Sequence, residues 1–293
     1  MPFGRIIVPV FDVRLLEFKL DRALSVADRF HSRIDVIFVH AATDPSSVEG
    51  DPILNDKVLE MAEENWDRER PSADAVAALV NKWAVERGVR SMGSKLDGMK
   101  HGGAPSCRVE VLTNEGPSNL VRHARATDLI VIGQPDRRTT QQERELNKVV
   151  LMTSGRAILI VPAQAQTSRD ILDHSILAWD GGLQVSRTVG LAMPLLEACS
   201  QVTVFRCVAS EEVAAHEDEI VDYLRCNGIT ARCKIVTHDP SRVASSLLTY
   251  AQETGATLIC MGAYSNSRAL EILIGGNTQY AYHNSAVPIL ISA

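Results

Sequence analysis

The sequence has no C-x-x-C pair, no G-x4-G-K-[ST] loop, no G-x-G-x-x-G after its first strand-like run and no G-x-S-x-G. These absences remove the common zinc, P-loop, dinucleotide and serine-hydrolase readings, and leave Ser154 and Ser186 without a nucleophile's context. Apolar runs stop short of the roughly 18 residues a membrane helix needs. The opening MPFGRIIVPVFD has neither a basic leader nor a small-residue cleavage site, so it reads as a first buried strand and not a signal peptide. There is no excess of positive charge either. The net charge is −6 with acids and bases interspersed, which argues against a nucleic-acid surface but not against one anion held by backbone groups. The six cysteines, at 107, 199, 207, 226, 233 and 260, come without a matching histidine set, so reduced, mostly buried thiols of a cytosolic protein are expected.

What is present is ordinary globular material, 45% hydrophobic and 23% charged, in 293 residues, about twice the length of a typical domain. The chain repeats itself. RIIVPVFD at 5–12 and SILAWD at 175–180 are apolar runs that end in an aromatic residue and an aspartate. A stretch with helical apolar spacing follows each: Leu16, Leu20, Ala23, Leu24, Ala27 and Phe30 in the first copy, Val189, Ala192, Met193 and Leu196 in the second. The β-branched runs DVIFVH (35–40) and QVTVFRCV (201–208) come next and suit strands covered on both faces. RVEVLT and ARCKIVT, DLIVIG and TLICMG, and AILIVP and VPILIS complete the two series. Pro117-Ser118 and Pro240-Ser241 sit where helices should start.

Alternating strands and helices imply a mostly parallel sheet with helices on both faces. The expectation is therefore two tandem α/β domains, 1–163 and 171–293, each a doubly wound parallel five-stranded sheet, joined by the polar stretch 163–170. The first copy carries longer inserts. These include the helix-like NDKVLEMAEENW within 43–75 and the Gly-rich stretch 91–106, read as a surface loop. His238-Asp239 reads as a helix cap beside a surface histidine, and His216 with Glu217, Asp218 and Glu219 as a solvated helix face.

The segment 261–278, MGAYSNSRALEILIGGNT, carries the chemistry. A strand ends at Gly262, and a helix-like stretch at 268–274 leads to Gly275, Gly276, Asn277 and Thr278. Glycines at a strand end let the backbone approach a ligand and turn N–H groups into a concavity that suits phosphate. The site lies at the carboxyl ends of parallel strands, where open α/β sheets bind ligands.

Here the sequence resembles the universal stress protein family, whose ATP-binding members carry G-x2-G-x9-G-[ST] at this place. Gly262 and Gly275 keep the spacing, while Ser265 and Gly276 replace the second glycine and the Ser/Thr. GAYSNSR, VPILIS and AWDGG at 178–182 are similar to the family as well. The resemblance implies a Rossmann-like fold of the adenine nucleotide α-hydrolase type, with ATP or a related adenine nucleotide bound in the C-terminal domain and Mg2+ as its accompanying cation. It places Asp180 at the adenosine end and the backbone near Cys207 and Val208 against adenine. Met261, Gly262 and Ser265 line the phosphate path, and Gly275, Gly276 and Asn277 close it. In the first copy Asp136 replaces the second glycine, and the closing positions fall near Arg144 and Glu145. Like-charge repulsion and bulk then argue against ATP there.

The function implied is a cytoplasmic stress-response sensor or adaptor with protein partners, its halves packed through their final strands as a pseudo-dimer and a homodimer left open. Any ATP hydrolysis is expected to be slow, because no positioned general base is evident. A nucleotide-free scaffold that docks partner proteins through the pseudo-dimeric tandem remains the alternative. An enzyme on the same fold finds neither nucleophile nor metal.

Overall fold

The computed structural model describes residues 3–11, 13–39, 71–92, 104–112, 117–137, 139–162, 170–208, 218–237, 242–263 and 276–292. The chain divides into two compact units, Met1–Arg156 and Ala157–Ala293.

In the first unit, β1 (Arg5–Val10), β2 (Arg33–Val39), β3 (Arg90–Ser91), β4 (Ser106–Leu112) and β5 (Leu129–Gly133) form a parallel sheet in the order β3-β4-β2-β1-β5. Its central strands are buried on both faces, as their β-branched composition requires. Helix α1 (Leu16–Phe30) buries Leu16, Leu20, Ala23 and Ala27 on one stripe and stops at His31, which takes the left-handed conformation at φ 56°. Helix α2 (Ala73–Arg87) starts where the Ser72 hydroxyl accepts from the Ala75 N–H at 3.1 Å, and it ends at Gly88 with φ 66°. Trp83 donates to Asp21 at 2.8 Å and ties α2 to α1. Helix α3 (Pro117–Arg125) opens at the expected Pro117, and α4 (Gln141–Thr153) is capped by Thr140, whose hydroxyl accepts from the Glu143 N–H.

A buried carboxylate, Asp35, fixes the register at the amino ends of these strands. Arg5 Nε reaches it at 2.6 Å from β1, Arg108 Nε at 2.8 Å from β4, and Arg33 Nη2 at 3.1 Å along β2. Burial pushes the Asp35 carboxyl up. The hydrogen bond and charge of Arg108, the charge of Arg33 and the hydrogen bond from Arg5 outweigh that and hold it below the ordinary carboxylate range.

The second unit contains β6 (Ala157–Val161), β7 (His174–Ala178), β8 (Gln201–Val208), β9 (Ala231–Thr237), β10 (Leu258–Gly262) and β11 (Ile289–Ser292), in the order β6-β11-β10-β7-β8-β9. All pairs are parallel except β6 with β11. Helices α5 (Leu183–Ala198), α6 (Asp218–Cys226), α7 (Val243–Thr254) and α8 (Gly276–Asn284) connect them. With the right-handed crossovers that parallel strands require, this strand order places α5 and α6 on one face and α7 and α8 on the other, and α7 packs on α8. The chain leaves β7 toward β8 and β9 and returns to β10 on the opposite side, so the switch point lies between β7 and β10.

The α/β doubly wound class is as the sequence indicates. Two details differ from it. A two-residue strand, β3, lengthens the first sheet beside β4, and the run AILIV at 157–161 lies antiparallel against β11. The expected linker lies outside the described residues apart from Asp170.

Candidate functional site

The second unit's switch point is built from the β7–α5 turn. Trp179 donates its N–H to the Phe205 carbonyl at 2.9 Å, which carries the β7–β8 pairing one residue past the strand. The Asp180 carboxylate accepts from the Gly182 N–H at 2.8 Å, an Asx turn made possible by Gly181 at φ 74°. Gly182 then caps α5, whose buried stripe runs through Val185, Thr188, Val189, Ala192, Leu195 and Leu196.

Gly262 ends β10 directly against this helix start. A methyl group on Gly262 would lie 2.6 Å from the Val185 backbone nitrogen and 3.0 Å from the Gln184 carbonyl carbon. The glycine is therefore required by close helix–strand packing as well as by any ligand. One turn on, the buried Thr188 hydroxyl lies 3.0 Å from the Gln184 carbonyl, 3.3 Å from the Met261 carbonyl and 2.9 Å from the Ser292 hydroxyl, tying α5 to β10 and β11.

Between this turn and α7 lies a cleft of about 210 Å³. Phe205 and Cys207 face it from β8, while Val243, Ala244 and Leu247 form the α7 wall. Asp180, Gln184, Met261, Gly262 and Thr278 also line it. Phe205 is held by Tyr250, with ring centroids 5.5 Å apart. Asp180 is the only formally charged side chain among the described lining residues. A largely apolar slot with a few polar groups in its lining suits a flat heteroaromatic ring joined to a polar chain.

Of the residues singled out in the sequence, Asp180, Cys207, Met261 and Gly262 come together here. Val208 is buried one residue further along β8, and strand alternation turns its side chain to the opposite face. Gly276 and Asn277 open helix α8, so the closing segment starts a helix, and Thr278 in its first turn lines the cleft. Ser265 and Gly275 lie outside the described residues, as do the helix-like stretch 268–274, His238-Asp239, His216 and most of the 91–106 loop. The sequence reading missed Trp179, Phe205, Gln184, Val243, Ala244 and Leu247. Only the helical spacing of the last three could have pointed to them, and that spacing equally describes core.

None of the cysteines is in a disulfide, and they are less uniformly buried than expected. Cys107 and Cys260 are buried, Cys199 and Cys207 are half-buried, and Cys226 and Cys233 are exposed. Burial pushes the Cys107 thiol up to about 11 and Cys260 up to about 12, the latter against a lowering hydrogen bond from Ser175. Burial also raises Cys199. These three stay protonated near neutral pH and do not serve as nucleophiles. Among the described residues no group of three His, Cys, Asp or Glu side chains could hold a metal, and no helix is long and apolar enough to cross a membrane.

In the first unit the turn after β5, which corresponds to the segment after β10, is closed on itself. The Asp136 carboxylate accepts from the Thr139 N–H at 2.8 Å and lies 3.7 Å from Arg14, which also reaches Glu143 at 3.9 Å. Arg144 donates to the carbonyls of Asp136 and Thr139. These cations are occupied by the chain's own oxygens.

The whole chain superposes on solved structures. A universal stress protein from Archaeoglobus fulgidus DSM 4304 matches with a TM-score of 0.63 at 15% identity, covering 99% of this chain and 96% of that one. The fold is that of a universal stress protein. A functionally unknown protein from Pseudomonas aeruginosa PAO1 matches with a TM-score of 0.60 at 14% identity, covering 99% and 92%. The cytoplasmic domain of a prokaryotic cation chloride cotransporter matches with a TM-score of 0.51 at 10% identity, covering 99% and 96%. The universal-stress-protein architecture therefore also occurs as part of a transporter, and function has to be argued from the site. No family model matches the sequence, and no curated protein matches it.

Proposed function

We propose that this chain is a tandem universal stress protein that binds ATP or a related adenine nucleotide in its second unit and acts as a cytoplasmic stress-response sensor or adaptor. The observation that carries this reading is the cleft itself. It lies at the carboxyl ends of β7, β8 and β10, beside the switch point, and is lined by apolar side chains and by residues from the first turns of α5 and α8. Phe205, Cys207 and Leu247 would hold the base and Asp180 the sugar end. The backbone amides around Gly262 and Gly276 would meet phosphate oxygens. The described lining offers no cation to the phosphates, and Asp180 adds a negative charge. Mg2+, a hard cation suited to carboxylate and phosphate oxygens, would offset both.

The closed turn around Asp136 favours a different role for the first unit, as a nucleotide-free surface for partner proteins. Nucleotide in the second unit alone could then bias a surface seen by those partners, to the extent that it binds one state better than another. A thermal shift with ATP, AMP and no ligand tests the reading. ATP at about 100 times its dissociation constant should stabilise the second unit by about 2.7 kcal/mol. An unchanged melting profile with ATP and with AMP up to millimolar concentrations would remove the proposal and leave the scaffold reading.

A further inference from the structure

One edge of the second unit's sheet is exposed to a degree that its counterpart in the first unit is not. Strand β9 registers along its inner side with β8, from Val202 opposite Ala231 to Val208 opposite Thr237. On its outer side no described strand pairs with it. Arg232, Cys233, Lys234 and Thr237 are exposed, and Ala231, Ile235 and Val236 are only half-buried. In the first unit the topologically equivalent β4 is flanked by β3, and the Met92 N–H donates to the Cys107 carbonyl beyond it. An uncovered edge of this length presents a row of backbone donors and acceptors ready to pair with another strand.

The charges along the edge narrow the partner. Arg232 and Lys234 project from the same face, with Lys234 Nζ 5.8 Å from the Tyr250 ring centroid. On the other face Arg206, opposite Ile235, carries a buried Nη1 with no hydrogen-bond partner. The nearest cation on α6, Arg225, is already paired with Asp222 at 3.0 Å. Antiparallel pairing with a second copy of β9 would bring Arg232 and Lys234 against their own equivalents, which like-charge repulsion opposes. A strand with its carboxylates on that face would instead meet the two exposed cations, Arg232 and Lys234.

We propose that β9 is a docking edge for an extended acidic segment of another protein, which adds as a further parallel or antiparallel strand. This is independent of nucleotide binding. The probe is a short capped peptide alternating valine and glutamate, with a valine–lysine peptide as control, both tested on the full chain. The acidic peptide should bind with one-to-one stoichiometry and slow amide hydrogen exchange along β9, and the lysine peptide should do neither. Replacing both Arg232→Glu and Lys234→Glu should weaken binding about tenfold, since rim charges set partner choice. Equal binding of the two peptides, unchanged exchange along β9, or undiminished affinity in the charge-reversed variant would overturn the proposal. So would a peptide-free dimer already protected along β9, which would assign the edge to a second copy.

Discussion

Replacing Gly262 by alanine is a severe test of how the second unit's switch point is built, although it adds only one methyl group. The methyl would sit 2.6 Å from the Val185 nitrogen, 3.0 Å from the Gln184 carbonyl carbon and 3.1 Å from Gln184 Cβ. Two of these atoms are backbone, in the first turn of α5, and they cannot rotate away. The turn has to move, and it is held by the Asp180–Gly182 hydrogen bond behind it and the Thr188 contacts ahead of it. Overpacking of this kind costs about 1–3 kcal/mol. The first unit supplies the control. A methyl on Gly133, the equivalent strand end, meets Leu15 Cδ1 at 3.0 Å, the tip of a side chain that can change rotamer, so Gly133→Ala should cost less than about 1 kcal/mol. Urea unfolding of both variants, with hydrogen exchange read separately on β10 and β5 to assign the loss, measures the contrast. Equal costs, or a Gly262→Ala loss below about 0.5 kcal/mol, would refute the claim that close backbone packing dictates this glycine.

Three further outcomes follow from the same geometry. Asp35→Asn removes the carboxylate that three arginines share and should destabilise the first unit by about 3 kcal/mol near neutral pH, measured by urea unfolding. Because the Asp35 carboxyl is held below its ordinary value, its contribution is present above that value and is lost as pH falls through the folded one. The difference between wild type and Asp35→Asn should therefore shrink below about pH 4. Thr188→Val should cost about 1–2 kcal/mol in the same assay by leaving the buried Ser292 hydroxyl without its partner. Saturating ATP should slow alkylation of Cys207, read by peptide mass spectrometry, while the exposed Cys226 and Cys233 react as before. Unchanged labelling of Cys207 would move the base out of the cleft.

Much of the fold was legible because burial on both faces leaves a plain mark. Runs such as IIVPV, DVIFV and LIVI contain almost nothing that could face water, and the stripe through Leu16, Leu20, Ala23 and Ala27 has helical spacing. Position within the sheet leaves no such mark. ARCKIVT reads as a strand, but its exposed cysteine follows from its being an edge, which topology decides. Nor does the composition of AILIV reveal that it pairs antiparallel with β11. In the site, Asp180 stood out through the resemblance to universal stress proteins, and Gly262 through that resemblance and as a glycine at a strand end. Phe205 and Leu247 did not, because an apolar residue lining a slot and one filling a core are the same in sequence. Gly262 was singled out for closeness to a ligand, and the structure adds closeness to α5. The start of α8 at Gly276 was hidden because glycine is a poor helix former, and only its place at the helix terminus makes it tolerable.

Isothermal titration of the full chain with Mg2+–ATP, run in parallel on wild type and on a Cys207→Trp variant that fills the slot, tests the central claim most directly. One site per chain in wild type and none in the variant is the predicted result. Two sites per chain, or full binding by the filled variant, would contradict it.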